Sequence, residues 1–208
     1  MSDVVYRELL EEDIQDICAI IDQTWDMNKY TEDQKTAESL LEVYFTSYMI
    51  RSNFEEVAVL DGKVVGVILG RNESTFTDKD SEHYDIMGAF RKKGFPITEK
   101  ENIASKYISR IDDADRQMLS KHVGEFDAEL NLFIVDGECR GMGIGKKLFA
   151  DFIRFLKYNG AKNLYLFTDD FCNVEFYVHI GYKMREKIEV HSKEFDEKGY
   201  FYLFSKEF

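Results

Sequence analysis

The chain reads as a mixed α/β protein, and three observations say so. Runs with apolar residues at helical spacing alternate along the chain with runs of period two, in the order strand, helices, hairpin, strand, helix, strand, helix, strand pair. Asp61-Gly62 stands between two β-rich runs, a strong short-range hairpin signal. A glycine-rich loop falls where a strand gives way to a helix. At 208 residues the chain fits one domain, 1–208. Its 44% apolar and 14% aromatic content supplies a packed core without disulfide or metal staples.

Val4 to Leu9 is the first expected strand. Glu12 to Met27 sets Ile14, Ile17, Cys18, Ile20, Ile21 and Trp25 at helical spacing, and a second helix over Thr31 to Arg51 gathers Leu40, Leu41, Tyr44, Phe45 and Tyr48 on one side. The hairpin EEVAVLDGKVVGVILGR follows. The stretch 72–122 is rich in charge, holds the only proline, Pro96, and reads as two helices inserted between strands. From Glu125 the period is two: Phe126, Ala128, Leu130, Leu132 and Ile134 alternate with Asp127, Glu129 and Asn131. After the glycine-rich loop, Leu148, Phe149, Phe152, Ile153 and Leu156 mark the buried stripe of a helix that Gly160 ends. Leu164 to Phe167 is a strand and Asn173 to His179 a short helix. The segments Lys183 to Val190 and Gly199 to Phe204 read as a closing strand pair.

The net charge of −13 argues against nucleic acid and against an anionic membrane surface; it either draws a cationic substrate or serves solubility alone. Three cysteines without a CxxC spacing point to neither a disulfide framework nor a metal site, which fits a reducing cytoplasm. The start MSDVVYRELLEED has no basic, apolar leader, and no run approaches the roughly 18 apolar residues of a membrane span.

The segment CRGMGIGKKLF carries the most chemistry. Gly141, Gly143 and Gly145 let the backbone approach a ligand closely. The unpaired amides and positive dipole end of the helix that follows suit phosphate oxygens, and Arg140 and Lys146 add full charges. A Walker loop fails twice, with Arg140 where its first glycine belongs and Lys147 where its hydroxyl belongs. The GxGxxG dinucleotide fingerprint fails as well, since Lys146 takes the sixth place. The pattern that remains is Arg-x-x-Gly-x-Gly. Cys139 and Cys172 have no histidine placed by sequence to activate them, so they read as packing thiols, and His179 and His191 as surface or packing residues.

FIVDGECRGMGIGKKLF resembles the pyrophosphate-binding motif of the GNAT superfamily of N-acetyltransferases, and CNVEFYVHIGY resembles that superfamily's second motif, with Asn173, Tyr177, Gly181 and Tyr182 in place. The specific resemblance runs from about Glu125 to Val190. It implies a mixed, mostly antiparallel central sheet flanked by helices, here with a helical insertion, and direct transfer of acetyl from acetyl-CoA to a primary amine. The backbone of Arg140, Gly141, Met142, Gly143, Ile144, Gly145 and Lys146 is then expected to hold the pyrophosphate. Phe133, Ile134 and Val135 would pair with pantetheine, and Asn173 would face the cofactor from the other side. The resemblance makes Tyr177 the acid that protonates the leaving thiolate. It makes Glu129, six residues before Val135, the base, with Asp127 as second candidate. Asp169 and Asp170 would end a strand near the acceptor, where either binds an ammonium or caps a helix. No metal is implied, and a homodimer is compatible. A silent acyl-CoA-binding module of the same fold is the alternative function. Gly137 and Cys139 depart from the family pattern, where proline and an aromatic are common.

Overall fold

A computed structural model of the protein describes residues 3–77, 89, 92–94, 98–192 and 197–208. Seven strands form one sheet in the order β1-β2-β3-β4-β5-β7-β6. They are β1 (Val5–Arg7), β2 (Phe54–Leu60), β3 (Lys63–Asn72), β4 (Ala128–Val135), β5 (Asn163–Asp169), β6 (Lys183–Ser192) and β7 (Glu197–Glu207). All neighbours are antiparallel except β4 and β5. The helices are α1 (Ile14–Trp25), α2 (Gln34–Met49), α3 (Glu99–Ser120), α4 (Ile144–Tyr158) and α5 (Val174–His179). The mixed, mostly antiparallel sheet flanked by helices is the expected fold.

Local chemistry sets the boundaries. Asp33 accepts from the Thr36 amide at 2.9 Å and so starts α2. Asp61 and Gly62 both take positive φ, 51° and 81°, as the tight β2–β3 hairpin requires. Gly160, at φ 80°, ends α4, and the Ala161 amide reaches back to the Leu156 carbonyl at 3.0 Å.

Helices α1 and α2 cover one face of the sheet, where Ile17, Ile21, Leu40 and Phe45 pack on Val57, Val67 and Leu69. Helix α4 covers the other face through Ile144, Leu148, Phe152 and Leu156. Burying a side chain such as Phe152, which is 0% exposed, contributes about 1.5–3 kcal/mol. The approach there is close: a Cβ on Gly70 would sit 2.2 Å from Phe152 Cζ, so only glycine admits the helix. Helix α3 lies beside α1 and α2 on their face, over β5, β6 and β7, with Ala114 and Met118 against Tyr165, Val190 and Leu203.

Two findings differ from expectation. Asn72, where the insertion was expected to begin, is still the last residue of β3, and of the two helices expected in 72–122 one, α3, is described; most of 78–97 lies outside the described residues. Strand β4 starts at Ala128 rather than near Phe126, because Gly124 at φ 77° holds the chain in a turn and the Glu125 amide bonds the His122 carbonyl at 3.1 Å. Among the described residues no helix is long and apolar enough to cross a membrane.

Candidate functional site

Strand β4 organises the site. Its register with β3 shifts between Leu69, opposite Leu132, and Gly70, opposite Leu130, so Asn131 is an extra residue. The bulge turns the faces over. Ala128 and Leu130 pack on the α4 side, but beyond it Phe133 and Val135 take that side, while Leu132 and Ile134 pack under α1 and α2. Asn131 Nδ2 donates to the Arg51 carbonyl at 3.0 Å and to Ser52 Oγ at 2.9 Å, tying the bulge to the end of α2. Strand β4 pairs with β5 only at Ala128, Glu129 and Leu130. Past Leu130 the β5-facing edge of β4 has no strand partner among the described residues, and this unpaired stretch is a cleft in the ladder in mid-sheet.

The glycine-rich loop stands at the end of that open edge. Asp136 accepts from the Glu138 amide at 2.9 Å and starts a single turn, Gly137–Cys139. Gly141 and Gly143 follow at φ 82° and 81°, with open space where a Cβ would stand on either. Gly143 is the N-cap of α4 and has no side chain to cap it; the Lys147 amide bonds the Gly143 carbonyl at 3.1 Å. The amides of Ile144, Gly145 and Lys146 precede that bond, at the positive end of the helix. Gly145 brings the helix start onto β4, since a Cβ there would lie 3.1 Å from Phe133 Cζ. Arg140 and Lys146 are exposed beside the loop, and among the described residues neither forms an ion pair. Lys147 instead pairs with Asp151 and lies over the Tyr6 ring at 4.9 Å. A cradle of glycine backbone, the uncapped first amides of a helix and two exposed cations fits a diphosphate.

Helix α5 closes the cleft from the β5 side. Asn173 Oδ1 accepts from the Phe176 amide at 3.1 Å, so this side chain caps its own helix. Tyr177 packs edge-on to Phe176 and Tyr182 at 5.4 and 5.8 Å, and burial pushes its phenol above the ordinary value. Phe133 joins the two walls, with Phe149 and Phe176 each 5.9 Å from it. The Cys172 thiol beside Asp169 is pushed up to about 12 by burial, and Cys18 likewise, so neither is poised as a thiolate.

On the opposite face of the sheet, toward α2 and α3, stands Glu129. Its Oε2 is 2.9 Å from Arg71 Nη2, both side chains are nearly buried (13% and 11% exposed), and the Tyr165 phenol hydrogen-bonds it as well. Asp127, the second candidate for the base, holds the amides of Lys162 and Asn163 at 3.0 and 2.8 Å, a clamp at the paired end of β4 and β5. Asp170 is likewise a brace, accepting from the Tyr200 amide at 2.9 Å and Tyr202 Oη at 2.5 Å. Asp169 caps the turn after β5 through the amides of Phe171 and Cys172, at 2.9 and 3.1 Å.

Sequence reasoning missed the acidic residues of the insertion. Asp112 and Asp115 reach this same region from α3, and burial with Asp112 and Glu129 nearby raises the Asp115 carboxyl to about 8. The signal was present: Asp115 falls on the apolar stripe of Ile111, Ala114 and Met118, where a carboxylate does not belong by packing alone.

A family model described as the acetyltransferase (GNAT) family matches residues 16–182. The chain belongs to the GNAT family. That family takes acetyl-CoA as co-substrate, and the uncapped start of α4 is where this member's sequence motif put the pyrophosphate. Solved structures share the fold end to end at low identity. An N-acetyltransferase from Staphylococcus aureus Mu50 is 17% identical with a TM-score of 0.56, and 99% of each chain is covered. A ribosomal-protein-alanine N-acetyltransferase from Brucella melitensis is 15% identical at TM-score 0.55, covering 98% of this chain and 99% of that one. A mosquito arylalkylamine N-acetyltransferase-like protein is 14% identical at TM-score 0.56, covering 99% of this chain and 100% of that one. No curated protein matches the sequence.

Proposed function

We propose that the protein moves an acetyl group from acetyl-CoA directly to a primary amine of a small cationic molecule, within a single domain spanning 1–208 and in the cytoplasm. The observation that carries this reading is the junction of two unfinished backbone surfaces: the open edge of β4 past Leu130, and the uncapped amides of α4 at Gly143. The amides from Arg140 to Lys146 bind the diphosphate, with Arg140 and Lys146 adding charge. Backbone groups of Phe133, Ile134 and Val135 bond the pantetheine amides as a further strand would. Asn173, which fixes the start of α5, aims Tyr177 at the sulfur. Tyr177 donates a hydrogen bond that strengthens as charge builds on the departing sulfur, and gives up its proton there. Burial keeps the Tyr177 phenol protonated, so its hydrogen is in place to bond the sulfur as charge builds there.

The acceptor enters from the other face of the sheet, the one beneath α1, α2 and α3. Glu129 belongs to that wall and makes it negative. The net charge of −13 draws a cation toward it. Proteins of the same fold are named for arylalkylamine and agmatine acetylation, which supports an amine acceptor.

The test is release of CoA thiol from acetyl-CoA with a diamine, an aralkylamine and an aminoglycoside, beside calorimetry of acetyl-CoA alone. We expect micromolar cofactor binding and amine-dependent thiol release. Tight binding with no release from any amine would overturn the transferase reading in favour of a silent acyl-CoA module.

A further inference from the structure

Asp115 is the one carboxylate of the acceptor wall whose burial no contact explains. Its Oδ1 is closed off from solvent and, among the described residues, bonds nothing. Leaving such an oxygen unmet forfeits its bonds to water with no return. The neighbours on its stripe, Ile111, Ala114 and Met118, show that an apolar side chain would pack there at no such cost.

The groups that act on it come from α3 itself, β4, α2 with the turn after it, and the end of β5. They are Asp112 on its own helix, Glu129 on β4, Arg51 just past α2, and Asp169 at the end of β5. Tyr44 and Tyr48 face it from α2, hydrogen-bonded to each other at 2.7 Å. Acid outnumbers base, and the bases are committed. Arg51 donates Nε to the Ser47 carbonyl at 2.9 Å and lies over the Tyr48 ring at 5.1 Å. Arg71 is shared between Glu73 and Glu129, at 2.8 and 2.9 Å. Glu129 is already held by a guanidinium and a phenol. Asp115 has neither partner.

We infer that Asp115 receives the acceptor's ammonium and takes its proton, with Arg71, Glu129 and Tyr165 as a positioning unit behind it. This rests on the transferase reading above. The ammonium gives one proton to the Asp115 carboxylate, which later returns it to water. The freed lone pair forms the C–N bond to the thioester carbon, and the C–S bond breaks with its electron pair on sulfur, which Tyr177 protonates. The second proton shed by nitrogen as the amide forms restores Tyr177. A carboxyl raised by burial to about 8 is a better match for an alkylamine of pKa near 10 than an ordinary aspartate near 4.

The experiment measures kcat/KM for the fastest amine of the panel from about pH 6 to about pH 10, in the full chain, with acetyl-CoA affinity by calorimetry alongside. Wild type should show an acidic limb that levels off near pH 8. Asp115→Asn should lower kcat/KM on the order of 100-fold or more and abolish that limb, with unchanged acetyl-CoA affinity and an intact melting transition. Asp115→Glu, a second variant against misfolding, should keep the limb. Glu129→Gln should weaken activity through KM and also keep it. An Asp115→Asn enzyme that retains the limb, or a limb lost only in Glu129→Gln, overturns the assignment and makes Glu129 the base. Acetyl-CoA binding with no transfer in wild type removes the transferase reading itself, and this inference with it.

Discussion

Gly143 takes φ 81° with nothing within 4 Å of a built Cβ, so a side chain there meets backbone strain but no steric wall. We expect Gly143→Asp to fold and to weaken acetyl-CoA about tenfold or more, about 1.4 kcal/mol, by setting a carboxylate against the diphosphate; calorimetry reads this, and unchanged affinity removes the loop assignment. Tyr177→Phe keeps the ring contacts with Phe176 and Tyr182 and loses only the hydroxyl. Its kcat should fall on the order of 100-fold with little change in the cofactor KM, and a normal rate excludes the acid role. Asp115 carries a stability consequence with a definite sign. Its folded carboxyl keeps a proton up to about pH 8, whereas the unfolded chain releases it near 4, so the folded state binds the extra proton and stability falls as pH rises through that window. Asp115→Asn does not titrate. It should therefore gain on wild type between about pH 5 and about pH 8, reaching roughly 1–3 kcal/mol by urea unfolding; a constant difference across that range contradicts the burial argument. The loop was legible in the sequence because glycines at alternate positions beside Arg140 act locally. Asp115 was legible only as a carboxylate on an apolar stripe, because its meaning comes from Arg51, Glu129 and Asp169, which only the fold brings near.

At the scale of elements, the packing of α4 on β3 is the tightest contact with a test of its own. A Cβ on Gly70 would stand 2.2 and 2.4 Å from Phe152 ring carbons and 3.0 Å from the Glu129 carbonyl. Gly70→Ala should push the helix off the strand and cost about 1–3 kcal/mol, or about 2–4 °C in Tm for each kcal/mol. Adding Phe152→Leu should return part of the loss; a melting scan in which the second change only adds damage tells against the clash. Most elements could be read from period and punctuation. Asp61-Gly62 gave the hairpin, and Gly160 gave the end of α4, because each needs only its own backbone conformation. The start of β4 was misplaced because Phe126 continues the apolar alternation from within a turn, stacking on Tyr165 at 5.1 Å. The bulge at Asn131 was invisible for a related reason: an alternating pattern gives the parity of a strand but not the point at which its two sides exchange places. Glu129 was read correctly as polar, yet its burial with Arg71 depends on a strand pairing, Arg71 opposite Glu129, that no local pattern encodes.

Across the whole molecule the excess of acid over base makes encounter with a cation salt-dependent. Raising ionic strength from about 0.02 M to about 0.3 M shortens the Debye length from roughly 20 Å to below 8 Å. The kcat/KM for a dicationic amine should fall several-fold across that range, while that for a weakly basic, uncharged aromatic amine stays level; equal responses would mean that the −13 serves solubility alone. The parting of β4 and β5 has a mechanical consequence. The sheet is two leaves, one of β1 to β4 and one of β5, β7 and β6, stitched by three residue pairs. Helix α4 stands behind that stitch, its buried stripe in one apolar cluster with Leu130 of one leaf and Leu164 and Phe204 of the other. Those three pairs and the apolar cluster behind them hold the two leaves together in mid-sheet. A donor slotted between the leaves would then act as a rivet, and the final step of each turnover would be to loosen it.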